Sequence, residues 1–140
     1  MFTERVGKIV ESCIHCNENT MKIAILNECF LSKEFLARLQ GMGEIVVYEK
    51  TTTEDEAIER LRGVEIAIID GFICPPTAKV LDSTDSLKLI VLPHTGYFMV
   101  DLETANKKSI KVANCPGFSK QAVAEMVIGL MFAVNRKIPL

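Results

Sequence analysis

Neither sign of charge dominates this 140-residue chain. Sixteen Lys and Arg stand against 18 Asp and Glu, scattered rather than clustered, for a formal net charge of −2. Such a surface has no electrostatic footprint for DNA, RNA or an anionic membrane. The opening residues, Met1-Phe2-Thr3-Glu4-Arg5-Val6, lack the apolar core of a secretory signal. Five cysteines, an odd number, then point to free thiols in a reducing, cytoplasmic compartment. The longest apolar run, Met126 to Val134, spans well under half of a ~30 Å hydrocarbon core at ~1.5 Å per residue, so no membrane span is expected. There is also no P-loop, no nucleophile elbow and no G-x-G-x-x-G. The pair Gly41-x-Gly43 follows a helical pattern and opens a strand, with Val46 where a third small residue belongs. That reverses the context of a dinucleotide fingerprint, and these glycines read as a helix stop.

What is present is an ordinary globular composition, 49% apolar and 24% charged, long enough for one domain with a real core. Residues 1–20 stand apart as an extension or loose arm: Val6 to Val10 could begin a short helix, and Asn17-Glu18-Asn19-Thr20 reads as a polar linker. Within the arm, Cys13-Ile14-His15-Cys16 is a C-x-x-C. A structural zinc site needs a second ligand pair. Cys29, Cys74 and Cys115 are lone and distant, so no metal site is expected.

From Met21 onward strands and helices alternate. Lys22–Leu26 is a short apolar strand, and Ser32 caps a helix to about Gln40 with Phe35, Leu36 and Leu39 on one face. Glu44–Tyr48 is a second strand. Thr53 opens an acidic-ended helix closed by Gly63, with Ala57, Ile58 and Leu61 facing inward. Glu65–Ile69 is the third strand, Thr77 starts a short helix, Leu87–Leu92 is the fourth strand, Asp101 caps a helix, and Ile110–Asn114 is the fifth strand. Crossovers of this length with a fixed hand predict an α/β fold, a doubly wound parallel five-stranded sheet over residues 21–118; they favour a flavodoxin-like strand order without fixing it. Ligands of such sheets bind outside the carboxyl ends of the strands. Pro93 to Tyr97 and Asn114 to Ser119 therefore lie on the expected working edge.

A long helix follows from Ser119. Val123, Met126, Val127, Leu130, Met131 and Val134 make one apolar face, while Ile128, Phe132 and Ala133 add apolar surface elsewhere. A helix apolar all round requires burial all round. It is expected to pack on a second domain or partner chain; the alternative is a helix sandwiched inside this domain.

One ordered series of motifs carries a family resemblance. Leu87-Lys-Leu-Ile-Val91, His94-Thr-Gly96, Val100-Asp-Leu102, Ile110-Lys-Val-Ala-Asn-Cys-Pro-Gly117 and Ala122-Val-Ala-Glu125 together resemble the D-isomer-specific 2-hydroxyacid dehydrogenases. The resemblance runs from about Met21 to the end and implies the substrate-binding domain. It implies backbone N–H groups of Thr95 and Gly96 on the substrate carboxylate, with Gly71 and Phe72 lining the cleft. Ala122 and Val123 would lie near the nicotinamide of NAD or NADP, with Pro116-Gly117 as part of a hinge. Residues 119–140 would form an inter-domain helix leading to a nucleotide-binding domain beyond Leu140. The family's catalytic Arg, Glu and His belong to that domain, so this chain alone is expected to hold no catalytic residue, bind no cofactor and show no turnover. The implied parent is a homodimer acting on small 2-keto or 2-hydroxy acids. Phe98-Met99 departs from the family, which often has Asp-Asn or Asp-His there.

Two other readings stay open. A phospho-receiver domain carries its acceptor at the end of the third strand, where Asp70 stands, with an acidic residue after the first strand (Glu28) and a hydroxyl after the fourth (Thr95). Yet the Lys expected after the fifth strand is absent, and Asn27 replaces one member of the acidic pair, leaving Mg²⁺ and phosphoryl charge poorly compensated. The other is a non-catalytic carboxylate-binding module. His94 reads as a loop histidine without a carboxylate partner in sequence, and Asp101 as a helix cap.

Overall fold

A computed structural model describes residues 21–27 and 31–138. The expectations for residues 1–20, Glu28 and Cys29 lie outside the described residues. The elements run β1 (Met21–Leu26), α1 (Lys33–Gln40), β2 (Gly43–Tyr48), α2 (Glu54–Arg60), β3 (Ile66–Ile69), α3 (Ala78–Asp82), β4 (Leu89–Val91), α4 (Leu102–Lys107), β5 (Lys111–Ala113) and α5 (Lys120–Asn135). The strands form one sheet in the order β2-β1-β3-β4-β5. Every pairing is parallel. This is the doubly wound α/β arrangement that the alternation of elements predicts.

Side chains alternate across the pleat and build a core on each face. On one face Ala24, Leu26, Ala67, Ile69, Ile90 and Leu92 pack with Leu61, Leu81 and Ala105 of the helical layer. On the other, Ile23, Ile25, Ile66, Ile68, Leu89 and Val91 meet Phe35 and Leu39 of α1. Strands β3 and β4 are buried at every position because both their faces are covered.

Local chemistry sets the helix starts. Ser32 Oγ accepts from the Phe35 N–H at 3.2 Å. Thr53 and Glu56 form a reciprocal capping box. Asp101 accepts from the Thr104 N–H at 2.8 Å. Gly63 ends the turn after α2 in the left-handed region, φ +69°. The two glycines read together as a helix stop have separate jobs. Gly41 is the C-cap of α1 in right-handed conformation, its N–H bonded to the Ala37 and Arg38 carbonyls. Gly43 is the first residue of β2, where a Cβ would overlap the Met21 carbonyl oxygen. Its smallness permits the close approach of β2 to β1.

Cys74 is buried, its thiol donates weakly to the Thr53 carbonyl at 3.7 Å, and burial pushes its pKa up. It is a packed, unreactive thiol.

Helix α5 has no buried residue. Met131 is 67% exposed and Val134 73%. The alternative of a helix sandwiched within this domain is therefore not what the described residues show. Among the described residues no helix is long and apolar enough to cross a membrane.

Candidate functional site

Three loops leave the carboxyl ends of neighbouring strands β3, β4 and β5. In the first, Asp70 makes an Asx turn: its Oδ1 accepts from the Phe72 N–H at 3.0 Å, and its carbonyl accepts from Ile73 and Cys74 N–H, both at 3.2 Å. The turn turns Phe72 outward, 60% exposed. Gly71 is buried beneath Met99; a Cβ there would come within 2.5 Å of Met99 Cγ. Met99 packs against the core, whereas Phe98 stands on the rim, 80% exposed. The Phe98 ring meets Phe72 edge-on, with centroids 5.9 Å apart.

The second loop is held by the third. Cys115 N–H donates to the His94 carbonyl at 3.0 Å, and Thr95 Oγ1 donates to the Cys115 carbonyl at 3.2 Å. Two further side chains fix the peptide planes between Thr95 and Tyr97. Asn114 Nδ2 donates to the Thr95 carbonyl at 2.7 Å. His94 Nδ1 lies 2.7 Å from the Gly96 carbonyl. A carbonyl only accepts, so Nδ1 carries the proton.

These two bonds orient the amides. In a planar trans peptide the N–H points opposite to the C=O. Pinning the Thr95 carbonyl on Asn114 turns the Gly96 N–H away from Asn114. Pinning the Gly96 carbonyl on His94 turns the Tyr97 N–H away from His94. Neither these two N–H groups nor that of Thr95 donates to an acceptor among the described residues. Successive unpaired amides at a strand end are an anion-binding arrangement.

The His94 ring is itself enclosed. It lies against Phe72, centroids 4.6 Å apart, with Nε2 3.9 Å from Asp70 Oδ1. Nε2 is buried without a hydrogen-bond partner among the described residues. The carboxylate neighbour that sequence order did not reveal is therefore Asp70, brought in by the pairing of β3 with β4.

Of the residues singled out from sequence, Phe72, Thr95 and Gly96 share this rim: a Cβ built on Gly96 would lie 3.5 Å from Phe72 Cζ and 3.3 Å from Phe98 Cε1. Gly71 lies under it. Ala122 and Val123 lie elsewhere, exposed at the start of α5. Sequence reasoning put Asn114 and His94 on the working edge but gave neither this role, because their partners are backbone atoms of a loop whose shape no periodicity reveals. A small cavity of about 220 Å³ opens beside this loop, lined by Tyr97, Leu102, Val112 and Asn114.

Residues 23–135 match the family model described as D-isomer specific 2-hydroxyacid dehydrogenase, catalytic domain. The chain belongs to this family. Among curated relatives, a glycerate dehydrogenase of Methylorubrum extorquens is 42% identical over 91 residues, 65% of this chain and 28% of the relative. A hydroxypyruvate reductase of Thermotoga maritima is 32% identical over 108 residues, 77% of this chain and 35% of the relative. Among solved structures, an acyclic imino acid reductase in complex with NADPH and D-arginine superposes with a TM-score of 0.76 at 35% identity, over 84% of this chain and 38% of that one. The D-lactate dehydrogenase of Escherichia coli gives 0.65 at 29% identity, over 84% and 38%. The chain thus spans about a third of the length of the curated relatives it matches. Membership of the dehydrogenase family disfavours the phospho-receiver reading of Asp70, whose Oδ1 is in any case engaged in the Asx turn.

Proposed function

We propose that this domain is the substrate-binding half of an NAD(P)-dependent oxidoreductase that interconverts 2-keto acids and D-2-hydroxy acids. The observation that carries the reading is the pinning of the Thr95 and Gly96 carbonyls by Asn114 and His94, which leaves successive N–H groups to face an anion. The substrate carboxylate sits on the amides of Thr95, Gly96 and Tyr97. Phe72 lines the cleft, and Gly71 sets its turn beneath Met99.

NAD or NADP supplies or accepts the hydride when bound. The residues here fit one part of such a cofactor only. Ala122 and Val123 are small or apolar and exposed, suited to contact with the nicotinamide ring, while the chain carries no glycine fingerprint for a pyrophosphate. A nucleotide-binding domain then completes the site with the cation and acid–base group that keto-acid reduction needs. Helix α5 is the bridge to it. Gly117, at φ +73°, and Pro116 form the hinge. The parent enzyme is a cytoplasmic homodimer, and the 140-residue chain by itself binds substrate without turnover.

Amide-resolved NMR of the chain titrated with pyruvate tests the reading. Saturable shifts at Gly96 and Tyr97 are expected, and their absence would refute carboxylate binding. A chimaera carrying the nucleotide-binding domain of the Thermotoga maritima hydroxypyruvate reductase is then expected to oxidise NADH and yield a D-2-hydroxy acid. Binding with no turnover in a folded chimaera that still binds NADH would favour a non-catalytic carboxylate-binding module.

A further inference from the structure

We infer that the acid this site selects carries an apolar, bulky side chain, branched or aromatic, rather than a hydroxyl, a phosphate or a second carboxylate. The inference rests on the carboxylate-binding reading above and adds the chemistry of the remainder of the substrate.

Three observations point the same way. The amides that would hold the carboxylate are flanked by two outward phenyl rings. A Cβ built on Gly96 would be in ordinary contact with Phe72 and slightly too close to Phe98, and the two rings brace each other edge to face. A side chain extending from a carboxylate seated on those amides therefore meets ring surface. Second, the three loops contain no cation: residues 70–73, 93–101 and 113–118 include neither Lys nor Arg. The next cationic residue in the chain, Lys120, lies over Gly117. Third, three of the polar groups on these loops that could read a hydroxyl are already engaged. Thr95 Oγ1 bonds the Cys115 carbonyl, Asn114 Nδ2 the Thr95 carbonyl and His94 Nδ1 the Gly96 carbonyl, while His94 Nε2 is buried. Asp70, 3.9 Å from His94 Nε2, places a carboxylate here that opposes a second anion.

Exposed rings are costly to leave against water and gain when an apolar group covers them. A phosphate or carboxylate placed in the same position would lose hydration and find no Lys or Arg on these three loops in return. The departure at Phe98-Met99 fits this division. Met99 fills the space above Gly71, and Phe98 takes the rim.

The test is a set of amide-resolved NMR titrations of the 140-residue chain with pyruvate, 4-methyl-2-oxopentanoate, phenylpyruvate and 3-phosphooxypyruvate. All bound acids should move the Gly96 and Tyr97 amides. The branched and aromatic acids should bind about fivefold or more tighter than pyruvate, as expected for partial cover of an apolar ring, and 3-phosphooxypyruvate should bind more weakly than pyruvate. Phe98→Asp and, separately, Phe72→Ser should each reduce the ratio of phenylpyruvate to pyruvate affinity toward one. Equal or tighter binding of pyruvate or 3-phosphooxypyruvate relative to phenylpyruvate, with the amides responding, would overturn this inference and leave carboxylate binding standing. Amides unmoved by every acid would overturn the carboxylate reading itself.

Discussion

The side-chain amide of Asn114 donates to the Thr95 carbonyl at 2.7 Å, across the gap between the ends of β5 and β4. One hydrogen bond thus joins two strand-end loops and sets the direction of the Gly96 N–H. Asn114→Ala removes the donor and frees that peptide to rotate. Pyruvate binding should weaken by about fivefold, and unfolding free energy should fall by about 1 kcal/mol, the usual net worth of such a bond. Asn114→Asp should be worse on both counts, since it sets a carboxylate against a carbonyl. NMR titration and urea unfolding measure the two effects; unchanged affinity in Asn114→Ala would remove Asn114 from the account.

His94 does the same for the next peptide through Nδ1 alone, for its Nε2 has no hydrogen-bond partner among the described residues. An asparagine places its amide nitrogen near the position of Nδ1. His94→Asn should therefore keep pyruvate binding within about twofold of the parent, whereas His94→Leu, lacking any donor, should lose about fivefold. Rescue by Asn separates aiming of the Tyr97 N–H from mere filling of space beside Phe72. Were the two variants equally impaired, the ring's bulk would be the cause and the donor irrelevant.

The fold could be read from the chain because its signals are local. Ser32, Thr53 and Asp101 cap the helices as their identity suggests, and the strands Ile23–Leu26 and Ile66–Ile69 are buried as their apolar runs require. The site was only half legible. A strand-end Thr95-Gly96 reads equally as an ordinary turn or as an anion loop, and only the family resemblance favours the second. But the bonds that aim its amides come from Asn114, 19 residues along, and from a histidine folded back on its own loop. Neither spacing produces a periodic pattern. Gly43 shows the same limit: its reason is the Met21 carbonyl in the neighbouring strand, which only the register of β1 with β2 discloses.

Helix α5 separates stability from assembly. Met126 and Met131 are largely exposed, so replacing both with Glu should change the unfolding free energy of the chain by less than about 1 kcal/mol. Leu92, fully buried in the sheet, is the contrast: Leu92→Ala should cost about 2–5 kcal/mol. Urea denaturation reads both. In a two-domain chimaera, the same methionine pair should disrupt docking and NADH oxidation although the domain remains folded. A large loss of stability from the methionine changes would mean that α5 packs on this domain after all.

Acid should act first at the helix caps. Glu56 accepts from the Thr52 and Thr53 N–H groups at 2.9 and 3.3 Å, and those bonds hold its carboxyl below the ordinary 4.5. Asp101, bonded to the Thr104 N–H, is likewise held below 3.8. A carboxyl whose pKa is lower folded than unfolded binds fewer protons in the folded state. Its contribution is complete above the unfolded value and disappears as pH falls through the folded one. Both caps are intact at pH 6; the Glu56 contribution weakens as pH drops below about 4.5 and that of Asp101 as it drops below about 3.8, and both are lost at more acid pH. Lys79 works in the opposite direction. The hydrogen bond and charge of Asp55 raise its pKa above 10.5, so Lys79 itself stays protonated across this range and its own titration costs stability only at alkaline pH. Neither carboxylate is buried, and salt reduces the part owed to charge. Urea midpoints measured from pH 6 to pH 2.5 should fall below about pH 4.5. Glu56→Gln and Asp101→Asn retain an oxygen acceptor but cannot titrate, so together they should flatten that decline. A decline of equal steepness in the double variant would move the acid sensitivity elsewhere in the molecule.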